Sequence, residues 1–191
     1  MKDRIIRIVG VIAVIEVVYL ILANLALNLP MTQELVNQHR PEKYAVYWEK
    51  AWTWYPLRIH ARGISANGQT SSQQWQAELS RASASLSVFP LVFRTVRVSG
   101  VDAEDVEFRL RPRPKPDKDR SAIREFFPPI RDRDPDSPAI KPTTGKEGKK
   151  AWKIVVDGIR AHGRHDVWVF QVRGALDGTL SADLSFETRG G

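Results

Sequence analysis

The chain has 191 residues, a formal net charge of +7 and no cysteine. Disulfide stapling, thiolate metal ligation and cysteine nucleophiles are therefore excluded. The length suits one domain with at most one appendage, and the basic excess is compatible with anionic lipid headgroups, nucleic acid or mere solubility.

The opening stretch MKDRIIRIVGVIAVIEVVYLILANLALNLP sets Lys2, Arg4 and Arg7 ahead of an apolar run. From Ile8 to Leu27 only Gly10, Glu16 and Asn24 interrupt it. Twenty helical residues span about 30 Å, the thickness of a bilayer core. A cleaved signal peptide has a shorter apolar region, about 7–15 residues, and a small-x-small site. Residues 1–30 are therefore read as a cytoplasmic tip and a retained anchor. The basic flank predicts a cytoplasmic N-terminus, with the chain beyond Pro30 on the far side. A nucleic-acid partner is not expected there. A mid-membrane carboxylate such as Glu16 costs on the order of 2.5 kcal/mol or more. Either it faces another membrane protein, with Tyr19 and Leu20 on the same helix face, or the apolar run tolerates it.

Residues 31–56 follow as a second unit. Tyr44, Tyr47, Trp48 and Trp52 recur at helical spacing, which predicts a short aromatic helix close to the membrane or packed on the core.

From Leu57 the period becomes two. LRIHA, GISANGQ, WQAEL, ASASLSV, FRTVRVSG and DVEFRLR read as short strands. Turns are expected between them, one at Asn67-Gly68. Residues 57–111 are predicted to form a first antiparallel meander. Residues 112–150 hold 8 of the 12 prolines and 18 charged residues. That composition predicts a long disordered loop. Within it, Ile123, Phe126, Phe127 and Ile130 read either as a clip pinning the loop or as a lid over an apolar surface. Residues 151–191 resume the alternation as a second meander. Trp75 and Trp152 open the two strand sets. Gly100, Val106 and Phe108 fall 78 residues before Gly178, Leu184 and Phe186, a weak internal echo.

No catalytic motif emerges. HGRHD places His162, His165 and Asp166 together, but on a strand or turn that spacing suits a metal poorly. There is no G-x-S-x-G, no phosphate-binding glycine loop and no H-E-x-x-H. The expectation is a protein that is not an enzyme and carries no cofactor.

The anchor, the strands leading into RASASLSVFPLVFRTVRVSGVDAEDVEFRLRP, the Pro90-Leu91 step, the VRVSGV strand, the turn into VEFRLRP and the closing DGTLSADLSFETRG together resemble the N-terminal portion of the AsmA/TamB-like family of envelope proteins. The resemblance covers residues 1–110 and 150–191; the charged proline loop is an insertion. It implies inner-membrane anchoring, a periplasmic bulk and a curled sheet whose apolar concave face carries phospholipid between envelope membranes. The groove candidates are then Leu86, Val88, Leu91, Phe93, Val96, Val98, Val106, Phe108, Leu180, Leu184 and Phe186. Eight to ten strands at about 4.8 Å each would make a sheet of about 40–50 Å, too short to bridge two membranes. The alternative is a single-span adaptor with a closed β-domain that assembles with an envelope complex through Glu16 or the aromatic segment. The predicted fold class is mainly β, with one transmembrane helix and a curled, groove-like sheet.

Overall fold

The computed structural model describes residues 2–38, 43–70, 72–87, 89–113, 125–131, 133 and 152–188. The fold is mainly β. Helix α1 (Lys2–Asn28) carries the apolar run and none of its residues is buried. It is long and apolar enough to cross a membrane. A second helix, α2 (Pro30–Gln38), follows at once. Then come β1 (Tyr44–Tyr47), β2 (Lys50–Trp52), β3 (Arg58–Gln69), β4 (Gln73–Ser87), a 3₁₀ turn (Phe89–Phe93), β5 (Thr95–Pro112), β6 (Trp152–Val169) and β7 (Val172–Thr188).

The strands form one sheet in the order β1-β3-β4-β5-β6-β7, with β2 also paired to β3. Every pairing is antiparallel except β5–β6. The sheet is therefore mixed, where a pure meander was expected. A parallel pair needs a long crossover to bring the chain back, and the proline- and charge-rich segment is the connection available.

Strands are fewer and longer than the sequence suggested. LRIHA and GISANGQ belong to one strand, β3, and Asn67-Gly68 lies inside it, paired with Gln76 and Trp75. WQAEL and ASASLS are likewise one strand, β4, of 15 residues. The expected aromatic helix is β1 and β2 instead; only Pro30–Gln38 is helical. The echo of 78 residues relates β5 to β7, which run antiparallel to each other because β5–β6 is parallel and β6–β7 is not.

Candidate functional site

Helix and sheet are joined by side-chain amides. Asn24 donates from Nδ2 to the Thr53 carbonyl (2.9 Å) and accepts from the Thr53 amide (3.0 Å). Asn28 does the same with Ala51, at 2.7 and 3.2 Å. Asn37 repeats the pattern with Val46, at 2.9 and 2.8 Å. Gln33 adds a bond to the Trp48 carbonyl, and Trp48 Nε1 donates to the Leu27 carbonyl. Each asparagine thus imitates a strand residue. The run 24, 28, 33, 37 pairs with 53, 51, 48, 46, so the helices lie antiparallel along the broken edge strand and cover an edge that would otherwise be open. A pocket of about 630 Å³ sits at this junction, lined by Leu20, Ile21, Ala51, Thr53 and Trp54 among others. Leu20 therefore faces the chain's own sheet, whereas Glu16 and Tyr19 are exposed.

The register aligns apolar residues in rows across the strands. Leu86, Val98, Val156 and Leu184 share one row, and Val96, Ile154 and Phe186 the next. Ala51, Ala61, Ala82, Ala103, Ala161 and Leu180 make a third. Toward the other end lie Leu79 with Val106, Ala77 with Phe108 and Val167, and Trp75 with Leu110 and Val169. Leu86, Val96, Val98, Val106 and Phe108 are half-buried, and Leu180 is exposed. The structure thus gathers most groove candidates into neighbouring rows. Phe93 stands apart, exposed on the 3₁₀ turn, a turn whose backbone also includes Leu91. Val88 lies outside the described residues.

Between the two sets of rows the apolar residues of β3, β4 and β5 change parity. In β4 they occupy 75, 77 and 79, then 82, 84 and 86. At the same level the partner strands carry residues in the left-handed region: Gly63 (φ 59), Asp105 (φ 51), Gly163 (φ 92) and Gly178 (φ 143). Asp105 ties this crease together. It accepts from Ser80 Oγ at 2.8 Å and from the Arg164 amide at 3.0 Å. Those bonds hold its carboxyl below the usual carboxylate range. His165 plugs the crease, only 2% exposed, with Nδ1 3.4 Å from the Val106 amide and Nε2 3.2 Å from the Gly178 carbonyl. That pair of partners places the proton on Nε2. His162 instead meets Asp102 at 2.5 Å. The two histidines of HGRHD thus serve separate contacts.

Residues 125–131 and 133, from the segment read as clip or lid, make polar contacts with the strands. Their partners are Asn67, Gln76, Arg109 and Arg111, which alternate with Ala66, Trp75 and Phe108 and so occupy the polar side of these strands. The Arg131 amide donates to Gln76 Oε1 (2.7 Å), Arg133 Nε to Asn67 Oδ1 (3.1 Å) and Arg111 Nη1 to the Pro128 carbonyl (3.2 Å). Buried polar side chains recruit a polar backbone. Ile130 is buried there, Phe127 half-buried and Phe126 exposed; Ile123 lies outside the described residues.

No family model, curated protein or solved structure matches the chain.

Proposed function

We propose that the chain is a membrane-anchored envelope protein whose apolar rows receive phospholipid acyl chains, in phospholipid transport between envelope membranes or in outer-membrane maintenance. On this reading α1 sits in the inner membrane with its N-terminus cytoplasmic, and the sheet stands in the periplasm. The observation that carries it is the stack of apolar rows on a sheet that does not close into a barrel. A residue outside the β region interrupts the two-residue side-chain repeat. In β3 and β5 the left-handed residues Gly63 and Asp105 fall at the change of parity, between Ala61 and Ile64 and between Ala103 and Val106, and on this reading the rows on either side form one strip. The resemblance to the AsmA/TamB-like family supports the same reading, as does the basic excess toward anionic headgroups. The adaptor alternative requires a closed core, which an open sheet does not favour.

The test is photo-crosslinking in cells. A photoreactive amino acid replaces Leu86 or Phe108 in the apolar rows, or Ser83 or Glu78 in the alternating positions. Mass spectrometry of the purified protein then reads the adducts. Phospholipid at Leu86 and Phe108 and none at Ser83 and Glu78 is the expected outcome. Lipid at neither apolar position, or equally at both sets, overturns the reading.

A further inference from the structure

Two neighbouring turns at one end of the sheet carry exposed apolar side chains. Trp54, Tyr55 and Leu57 lie in the β2–β3 turn, and Phe89, Val92 and Phe93 in the turn between β4 and β5. Trp54 is 70% exposed, Phe89 74%, Val92 78% and Phe93 70%. The Phe89 and Phe93 rings meet edge to face at 5.8 Å. Both turns hold a non-glycine residue in the left-handed region, Leu57 (φ 68) and Arg94 (φ 55), a conformation that persists only where it is held in place. A cluster of this kind marks a contact surface.

The register shows what it contacts. Asn28 bonds Ala51 and Asn24 bonds Thr53. From Asn28 to Asn24 the helix enters its long apolar run. Over the same interval the strand passes from Ala51 to Thr53 and on to Trp54. Both turns therefore project toward the membrane-spanning part of α1. The second reaches further. Trp52 pairs with His60 and His60 with Ser83, so these residues are level. Ser87 is four residues beyond Ser83, roughly 13 Å along the strand, so the second turn lies beyond the first. Arg58 borders the first turn, as suits an anionic headgroup layer.

We infer that both turns dip into the outward-facing leaflet of the membrane that α1 crosses. Phe89, Val92 and Phe93 enter the acyl-chain region, and Trp54 and Tyr55 sit at headgroup level, where amphipathic rings favour the interface. The sheet then stands on the bilayer by two supports, and the row of Leu86 and Val98 opens at the lipid surface. The inference rests on α1 spanning the membrane, and it goes beyond the lipid-groove reading by fixing which end of the sheet meets lipid.

The chain has no cysteine, so single labels are unique. Full-length Val92→Cys and Phe93→Cys report the turn, and Val14→Cys reports the middle of α1. Val172→Cys, at a position 74% exposed at the opposite end, is the aqueous control. Each is labelled with an environment-sensitive NBD fluorophore and reconstituted in phosphatidylcholine–phosphatidylglycerol vesicles, with or without lipid bearing a doxyl quencher. The expected result is blue-shifted, strongly quenched emission at positions 14, 92 and 93, and unshifted, unquenched emission at 172. Quenching at 14 with positions 92 and 93 behaving like 172 overturns the inference and leaves the span intact. No quenching at 14 overturns both. Quenching at 172 equal to that at 92 shows a sheet lying flat on the membrane and overturns the upright arrangement.

Discussion

Gly68 shows how tightly single residues are set in this sheet. It is buried opposite Trp75, and a Cβ there would meet the indole at 2.6 Å. Gly68→Ala therefore has to displace the ring. The expected cost is about 1–3 kcal/mol, read as a lower unfolding midpoint with altered tryptophan fluorescence. Gly163 answers to a second constraint: at φ 92 its added Cβ would meet the Asp105 carboxylate at 2.5 Å. His60 supplies a pH response. Its ring stacks on Trp52 at 5.7 Å. Burial, then the charge of Arg58, push its imidazole below the usual 6.5. Protonation is thus harder in the folded chain than in the unfolded one. The stabilisation is present above 6.5 and is lost as pH falls through the lowered folded value. His60→Gln is expected to flatten the unfolding midpoint against pH just below 6.5, with little change above it. Asp105 and Asp166 are both held below 3.8, the first by Ser80 and the Arg164 amide, the second by Arg173. Their contribution is lost only in stronger acid, so the His60 window can be separated.

At the level of elements, the helix–edge junction was the part least legible in the sequence. Tyr44, Tyr47, Trp48 and Trp52 fit a helical period, yet Tyr44, Tyr47 and Trp52 pair with β3 and Trp48 lies between the two short strands, because tertiary pairing overrides a short local pattern. Asn24 reads as an interruption of the anchor; its role appears only once Asn28, Gln33 and Asn37 are seen to follow at helical spacing along a strand. The parallel β5–β6 pair was equally hidden, since side-chain alternation is the same for either strand direction. By contrast, the apolar helix, the strand content and the composition break after Pro112 could be read directly. The junction makes a definite prediction. Asn24→Leu with Asn28→Leu keeps α1 apolar but removes four bonds to strand backbone. With about 0.5–1.5 kcal/mol net for each bond, β2 should loosen before the rest of the sheet. Hydrogen exchange at the Ala51 and Thr53 amides is expected to accelerate, while exchange in the β4–β5 ladder stays as it was.

Across the whole molecule the sheet has six strand positions, about 24–29 Å at ordinary strand spacing, which is narrower than the eight to ten strands the alternation suggested. The discrepancy has one cause: the parity breaks at Ser80-Arg81 and around Asp105 resemble strand ends in sequence, whereas in the fold they are creases inside long strands. The same ambiguity kept core and groove apart, because a covered row and an open one alternate identically. The proposed function takes the open case, with Leu86, Val98 and Phe108 half-buried in the strip. An open apolar strip loses free energy to water until something covers it, so a ligand that binds only the folded sheet must raise its stability by mass action. Adding phospholipid to the detergent-solubilised full chain is expected to raise its unfolding free energy logarithmically with free lipid, by about 2.7 kcal/mol at 100 times the dissociation constant, read as a higher unfolding midpoint. Phe108→Asp, which places a charge in the strip, should abolish the increase. An unfolding midpoint that ignores lipid in the parent chain, with Phe108→Asp destabilised as a core substitution would be, is the outcome that returns the sheet to a self-covering core.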